Sequence, residues 1–253
     1  MKPYVLAEAN WKVVQETAYE VAVLPWGATE AHNYHLPYGT DIYESQRIAE
    51  EAASIAWQRG ARVIVLPTVP FGVNTGQLDI PLTINMNPST QLAVFRDVVE
   101  SLEVQGIPKL AILNGHGGND FKQMIRELQG ATEVFVCTVN WWTVLDGKQF
   151  FEQPGDHGGE LETSLMMHLK PELVFLDQAG DGRTVPFRVQ ALREGWAWAP
   201  REWRRATADT GSGDPSRASA AKGADFFTAV TQKIAGFLVE LASITGNRIY
   251  EGE

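Results

Sequence analysis

Short apolar runs rich in β-branched residues alternate along the chain with longer stretches of helical spacing. The runs are Val21 to Pro25, Val63 to Pro67, Leu110 to Leu113 and Val134 to Val139. The stretches with apolar side chains three or four positions apart are 41–58, 88–104 and 119–128. This alternation is typical of parallel strands joined by crossover helices. It predicts an α/β fold: a three-layer αβα sandwich around a mostly parallel central sheet.

Length and composition favour one large domain. The 253 residues, of which 44% are apolar, are enough to bury one sizeable core. We therefore predict a single domain over residues 1–253. The stretch 177–213 departs from the alternation, because it combines three tryptophans with several arginines and shows little periodicity. It is predicted to form an arm or a lid, and a long helix is predicted to follow it over 218–243.

Charge and hydropathy exclude several classes of partner. The chain carries 31 acidic and 21 basic residues, a formal charge of −10, which repels phosphate backbones and anionic membrane surfaces. No segment approaches the roughly 20 apolar residues that span a bilayer. The first residues lack the basic-then-apolar layout of a signal peptide. We expect a cytoplasmic protein that acts on a small molecule and has neither a nucleic-acid nor a membrane partner.

Three of the five histidines stand beside Gly, Asp or Glu in segments that follow apparent strands: His32, His116 and His157. The carboxyl ends of parallel strands line the crevice in which ligands bind. Glu30 and His32 are two positions apart, so in an extended segment they project to the same side. Such pairs predict metal ligands, whereas an isolated E-x-H pair on a polar loop is more often a solvated surface pair.

Asp41 has two compatible interpretations. It stands at the start of a helical stretch, where it would serve as an N-cap with Glu44 as its capping partner three residues on. A carboxylate has several lone pairs, so one oxygen can cap the helix while the other binds a cation.

The turn NGHGGN at 114–119 places glycines on both sides of His116, which lets the backbone approach a ligand closely. The competing interpretation is a phosphate-binding glycine turn at a helix N-terminus. The spacing lacks the third glycine of G-x-G-x-x-G, so the metal-ligand interpretation is favoured.

The run HGGELETS begins at His157 and leads into a predicted helix. An acidic residue in the first turn of a helix offsets the helix dipole, which explains Glu160. Glu162 is followed by an apolar run and is predicted to point inward, where a carboxylate needs a cation or a strong partner. His168 is predicted to be a packed or surface residue, and His35 to support a ligand from behind.

The segment from Leu24 to Asp41 reads LPWGATEAHNYHLPYGTD and resembles the signature of the creatininase, or creatinine amidohydrolase, family. The NGHGGN turn, the HGGELETS run and residues 210–223 also look like that family's motifs, and the resemblance extends over about residues 15–240. It implies a creatininase-like fold. It also implies hydrolysis of a C–N amide bond by metal-activated hydroxide, in a small amide, with a cyclic one favoured, or in a related substrate.

The resemblance further implies two divalent metal ions per chain. Glu30 and His116 bind one ion, His32 binds the other, and Asp41 bridges both. Creatininase carries a glutamate two residues after the turn histidine, where this sequence has Gly118, so Glu162 becomes the candidate for the fifth ligand. Carboxylates and imidazoles without a thiolate favour Zn²⁺, with Mn²⁺ or Fe²⁺ as alternatives.

His157 matches the catalytic histidine of the family. The tryptophan and aspartate that enclose creatinine are replaced by Gln153 and Pro154, which argues against creatinine as the substrate. The predicted substrate-binding residues are Asn74, Thr75, Gln77, Gly117 and Gln153. The resemblance implies a homo-oligomer such as a hexamer. Two alternatives stay open: a non-catalytic metal- or ligand-binding protein of the same fold, and a metal-dependent sugar-type hydrolase or isomerase.

Overall fold

Four parallel strands form one sheet in the order β2-β1-β3-β4. The structure is a computed structural model, and it describes residues 2–246 and 249–251. The strands are β1 (Val21–Trp26), β2 (Val63–Val65), β3 (Lys109–Asn114) and β4 (Phe135–Asn140). Each predicted apolar run supplies one strand, so the predicted parallel sheet is confirmed.

Helices cover both faces of this sheet. In chain order they are α1 (Trp11–Gln15), α2 (Thr40–Gln58), α3 (Pro88–Val104), α4 (Phe121–Leu128), α5 (Glu160–Leu169), α6 (Gln190–Glu194), α7 (Trp203–Ala206) and α8 (Ala220–Ser243). The buried side chains of α2, α5 and α8 form one apolar cluster with the sheet, and those of α3 and α4 form a second cluster. The two clusters are the two interfaces of the predicted αβα sandwich.

The central strand β1 contributes alternately to the two clusters. Val21 and Val23 belong to the cluster with α2, α5 and α8, whereas Ala22 and Leu24 belong to the one with α3 and α4. All six residues of β1 are buried. A strand covered on both faces carries apolar residues at every position. This explains why the run shows no alternation of polar and apolar residues.

The helix starts differ in detail from the sequence interpretation. Helix α2 begins at Thr40, and its N-cap, Gly39, makes no side-chain cap hydrogen bond. Asp41 therefore lies inside the first turn rather than at the cap. Helix α8 begins at Ala220, and the hydroxyl of Ser219 accepts a hydrogen bond from the Lys222 amide.

The stretch 177–213 is connected to the body by a few specific contacts. Its two α-helices are α6 and α7. The side chain of Asn33 accepts a hydrogen bond from the Gly180 amide at 2.8 Å and donates one to the Gly180 carbonyl at 3.2 Å. Trp196 and Trp198 are 76% and 85% exposed. We call this stretch the arm. No helix among the described residues combines the length and the apolar character that crossing a bilayer requires.

Two glycines of α8 provide a matched test of the packing between α5 and α8. A Cβ at Gly223 would lie 1.9 Å from the Ser164 carbonyl oxygen, whereas one at Gly236 would meet nothing within 4 Å. We expect Gly223→Ala to lower the free energy of unfolding by about 1–3 kcal/mol through overpacking. Gly236→Ala should raise it by about 0.8–1 kcal/mol through helix propensity. Urea denaturation measures both, and equal stabilities would contradict the close helix contact.

Candidate metal centre

Five side chains from separate segments meet at the carboxyl ends of β1 and β3. Glu30 and His32 follow β1, Asp41 lies in α2, His116 follows β3 and Glu162 lies in α5. Their ligand atoms form two groups of three, and the atoms within each group lie within 4.8 Å of one another. The first group is Glu30, Asp41 and His116, and the second is His32, Asp41 and Glu162. Asp41 belongs to both groups.

The two oxygens of Asp41 face different histidines. Oδ1 lies 2.8 Å from Nε2 of His32, and Oδ2 lies 3.1 Å from Nδ1 of His116. The same Nδ1 of His116 is 2.7 Å from Oε1 of Glu30. The Asp41 carboxylate thus stands between the two ligand groups with one oxygen turned toward each.

The chemistry of these donors fits divalent cations. Glu30, His32 and Asp41 are at most 1% exposed. Oδ2 of Asp41 has no hydrogen-bond partner among the described residues, because its contact with His116 lacks hydrogen-bond geometry. A buried carboxylate without compensation is costly. Carboxylates and imidazoles without a thiolate suit hard and borderline divalent ions.

Further contacts orient each ligand. Nε2 of His116 donates to the Val73 carbonyl oxygen at 3.0 Å, so Nδ1 faces the carboxylates. Nδ1 of His32 donates to the Glu30 carbonyl oxygen at 3.2 Å, so Nε2 faces Asp41. The side-chain amide of Gln77 donates to Oε2 of Glu30. Such partners fix the ring and carboxylate orientations that a metal site needs.

The charges within the cluster compensate one another. Burial opposes a charge on His32, but the Asp41 carboxylate outweighs it and raises the pKa of His32 to about 10. The pKa of His116 is likewise well above its ordinary value, because Glu30 and Asp41 outweigh burial. Burial would raise the pKa of Glu30 and Asp41, but the neighbouring imidazoles hold the pKa of both carboxyls below the usual range. Burial raises the pKa of Glu162 to about 7.

His157 lies beside the cluster with its ring stacked on that of His32, the centroids 4.0 Å apart. Its Nε2 donates to the Ala31 carbonyl oxygen at 2.8 Å, so Nδ1 is free and lies 3.9 Å from Oε1 of Glu30. Burial and the neighbouring His32 lower the pKa of His157 to about 4. The imidazole is therefore neutral at pH 7 and can accept a proton at Nδ1. Glu30, His32 and His157 also form a third group of ligand atoms.

Glu44 is a buried carboxyl that the sequence interpretation treated only as a capping partner. It is fully buried, and neither carboxylate oxygen has a hydrogen-bond partner among the described side chains and backbone. Burial, with the nearby carboxylates of Glu162 and Asp41, raises its pKa well above the ordinary value. The signal for its position is its spacing of three residues from Asp41, which puts both on one face of α2.

The two remaining histidines lie apart from the ligand atoms. Nε2 of His35 lies 2.8 Å from Oγ1 of Thr163, the residue after Glu162, so His35 supports the first turn of α5. His168 packs its ring 5.3 Å from that of Phe227. His168 is a packed helix residue, as predicted, whereas the side chain of His35 contacts Thr163 rather than a candidate metal ligand.

A cavity of about 740 Å³ opens onto the cluster, and its lining includes Asn74, Thr75, Gln77 and Gly117. The structure thus brings four of the five predicted substrate-binding residues to the cavity. Gln153 is exposed and is not part of the cavity lining.

Two of these four residues have part of their side chain already engaged. The amide nitrogen of Asn74 donates to the Ile84 carbonyl oxygen at 3.1 Å, and that of Gln77 donates to Glu30. Their carbonyl oxygens, Oδ1 and Oε1, have no hydrogen-bond partner in the described part of the chain. Thr75 and Gly117 are exposed to the cavity.

Other residues of the cavity wall were not predicted. Trp142 and Lys148 come from the segment after β4, and Arg201 and Trp203 come from the arm. The concentration of tryptophan in the arm was visible in the sequence, but no local pattern indicated which ring would turn toward the histidines.

An αβα sandwich with carboxylates and imidazoles at the carboxyl ends of its strands is the arrangement expected of a metal-dependent hydrolase. The family model described as creatinine amidohydrolase, that of the creatininase family, matches residues 7–238. The chain belongs to the creatininase family.

Curated relatives of the chain include two kinds of hydrolase. The creatinine amidohydrolase of Pseudomonas putida is 26% identical over 205 residues, which cover 71% of this chain and 77% of the relative. The mycofactocin precursor peptide peptidase of Mycolicibacterium smegmatis is 26% identical over 218 residues, covering 82% of this chain and 79% of the relative.

Solved structures show the same fold. A crystal structure from Bacteroides fragilis has a TM-score of 0.93 and 46% identity, covering 99% of this chain and 100% of the other. A manganese creatininase has a TM-score of 0.78 and 25% identity, and the match covers 94% of this chain and 98% of the creatininase. A Zn-Zn form of a creatininase variant has a TM-score of 0.77 and 25% identity, covering 95% and 98%.

Metal binding should displace protons from the cluster. The pKa of His32 is about 10, so its imidazole is protonated at pH 7, and the raised pKa of His116 favours the protonated form of that ring as well. Glu162, with a pKa of about 7, is about half protonated. Metal ligands must be deprotonated, so we expect more than one proton to be released per chain and the metal affinity to increase with pH. Titration calorimetry in buffers of different ionisation enthalpy measures this number. A release near zero would contradict the raised pKa values.

Adjacent glycines give a matched test of the His116 turn. A Cβ at Gly118 would lie 2.3 Å from the Val73 carbonyl oxygen and 2.5 Å from Nε2 of His116, whereas one at Gly117 would meet nothing within 4 Å. We expect Gly118→Ala to displace His116 and weaken metal binding by about 10- to 100-fold, as loss of an orienting partner does. Gly117→Ala should retain the metal. Elemental analysis after dialysis compares them, and equal metal content would contradict the role of the Val73 contact.

Proposed function

We propose that the chain is a binuclear-metal-dependent hydrolase that opens a C–N amide bond in a small, cyclic amide or a related substrate. The observation that carries this proposal is that each oxygen of Asp41 faces a different histidine, and that Asp41 belongs to both ligand groups. One cation would be held by Glu30, Asp41 and His116. The other would be held by His32, Asp41 and Glu162.

Zinc is the ion we propose first, with manganese or iron as alternatives, because the donors are carboxylates and imidazoles. The manganese and Zn-Zn forms of the related creatininase support this choice. The close approach of Val73 to Gly118 leaves no space for the glutamate that creatininase carries at this turn. This supports Glu162 as the source of the fifth ligand.

When bound, two divalent cations supply Lewis acidity: they lower the pKa of water and polarise an amide carbonyl. The residues of the chain supply proton transfer and orientation. Nε2 of His157 donates to the Ala31 carbonyl oxygen, so Nδ1 can accept a proton and return it to the leaving nitrogen. A positioned acid or base contributes about 10² to 10⁴ in rate.

Burial of the cluster adds to this effect. Glu30, His32 and Asp41 are almost inaccessible to solvent, and electrostatic interactions are stronger where water is excluded. The donors are also held by their own partners, so little reorganisation is needed during the reaction. These features support catalysis at the inner end of the cavity.

The substrate is proposed to differ from creatinine. Gln153 and Pro154 stand where creatininase has its creatinine-enclosing pair, and Gln153 is exposed and outside the cavity lining. The cavity of about 740 Å³ lies in the upper part of the range for small-molecule sites, about 300–1,000 Å³. The related mycofactocin precursor peptide peptidase is a further indication that larger amides suit this fold. We therefore favour an amide larger than creatinine.

One observation favours a second candidate, a non-catalytic metal-binding protein of the same fold. His157 shares a ligand-atom group with Glu30 and His32, so it could bind a cation instead of transferring a proton. The metal content of a His157 variant separates the two functions.

Substitutions of individual cluster residues test the proposal. Glu30→Gln and His116→Ala should lose metal and amide hydrolysis together. His157→Ala should keep its metal, and its kcat should be about 10²- to 10⁴-fold lower than that of the wild type. His168→Ala is the matched control, because His168 packs against Phe227 outside the cluster, and it should retain both.

Elemental analysis and turnover across amides, lactones and formamides give the readouts. Full activity of the metal-free protein would contradict the hydrolase proposal. Loss of metal in His157→Ala, with no turnover by the wild type, would support the non-catalytic candidate.

A further inference from the structure

The outer wall of the cavity comes from the arm rather than from the αβα layers. Trp203 is half-buried, and its ring centroid lies 4.6 Å from that of His157 at an interplanar angle of 56°. His157 is in turn stacked on His32. Three rings therefore follow one another from a candidate metal ligand outward to the arm.

Arg201 attaches Trp203 to the turn that carries His157. Its guanidinium lies 4.6 Å from the centroid of the Trp203 ring, and its Nη2 is 2.7 Å from Oδ2 of Asp156. Asp156 directly precedes His157 in the chain. The indole thus contacts both an ion-paired arginine and the imidazole of His157, and it is also part of the cavity lining.

The arm also contacts the neighbouring loop 74–79, which contributes to the same cavity lining. Gly76 approaches the Arg201 carbonyl oxygen so closely that a Cβ there would lie 2.0 Å away. Nη1 of Arg204 donates to the Asp79 carbonyl oxygen at 3.2 Å. The same loop contains Gln77, whose amide donates to Glu30. These contacts make the segment around Trp203 a fixed wall rather than a free flap.

We propose that Trp203 orients the imidazole of His157 and forms an aromatic wall that selects substrates with a planar, conjugated group beside the amide that is cut. The first part rests on the proposed function, because it assigns Trp203 a role through His157. Trp203 is then a positioning residue for His157 and a specificity determinant for the substrate.

The physical argument for orientation comes from the side-chain torsion of histidine. The χ2 angle of histidine has a broad preference, so ring packing and hydrogen bonds decide its value. Among the described residues, the side chain of His157 makes one hydrogen bond, from Nε2 to Ala31, and its ring pairs with those of His32 and Trp203. Removing the indole removes one of these two ring contacts, so Nδ1 can turn away from the cluster.

The argument for selectivity comes from the chemistry of the exposed part of the indole. Aromatic rings stack favourably on planar conjugated groups, and a puckered saturated ring makes poorer contact. The cavity lining includes three further indoles, those of Trp141, Trp142 and Trp198. A flat cyclic amide therefore matches this wall better than its saturated counterpart.

Uracil and 5,6-dihydrouracil are a suitable pair of probes, because both are cyclic amides of similar size and only uracil is planar. We expect the metal-loaded wild type to bind uracil about two- to ten-fold more tightly, the range for one stacking contact. Trp203→Leu should abolish this preference without changing the metal content, and Trp203→Phe should retain most of it. Trp196→Leu is the matched control, because Trp196 is an exposed arm residue that is not part of the cavity lining.

Equilibrium binding and metal content are measured for all four proteins, and kcat and KM are measured on any amide that the wild type hydrolyses. Trp203→Leu should lower kcat about ten-fold for planar and saturated substrates alike, with Trp203→Phe restoring it. Failure of the wild type to bind either probe, or a preference unchanged in Trp203→Leu, overturns the aromatic wall. An unchanged kcat in Trp203→Leu overturns the orienting role. Absence of turnover in the metal-loaded wild type would refute the hydrolase function instead. In that case the binding of uracil and dihydrouracil still tests whether Trp203 selects planar groups.

Discussion

The fold depends on compensating the charge of carboxylates that are almost completely removed from water. Glu30 and Asp41 are each 1% exposed, so their negative charge must be balanced by groups that are equally buried. The imidazoles of His32 and His116 provide part of that balance, and the donor set fits cations that would provide the rest. Each imidazole depends in turn on a backbone carbonyl that fixes its orientation. The same contacts therefore compensate the buried charge and orient the candidate metal ligands.

Much of the fold could be predicted because strands and helices produce local patterns of apolar residues in the sequence. Strands covered on both faces must be apolar at every position, and the four runs are visible for that reason. The convergence of Glu30, His32 and His116, the candidate ligands, could also be predicted, since these residues follow such runs at the same edge of the sheet. The sheet order β2-β1-β3-β4 could not, because it depends on how separate crossover units pack. Glu44 and Trp203 were missed for the same reason: their environments are created by residues distant in the sequence.

The differences from the sequence interpretation have physical causes. Asp41 resembled an N-cap because acidic residues are common at that position. The helix instead begins at Thr40, the residue before Asp41, and the Asp41 carboxylate faces two histidines. Gln153 was predicted to contact the substrate because it stands where creatininase has one of the two residues that enclose creatinine. Its backbone amide instead donates to Glu160 at 2.8 Å, and its side chain lies at the surface. The sequence alone does not decide whether an acidic residue near a helix start caps the helix, or whether a residue near a motif reaches the substrate. The tertiary packing decides both.

The all-parallel sheet has a consequence for how the protein acquires its centre. Parallel neighbours are joined by long crossovers, so the ends of β1 and β3 come together only after the intervening helices have formed. No early hairpin can hold His32 near His116, and an unfolded chain has no comparable affinity for a pair of cations. A cation that binds only the native chain therefore raises the free energy of unfolding. The increase is about 2.7 kcal/mol when the free cation concentration is a hundred times the dissociation constant.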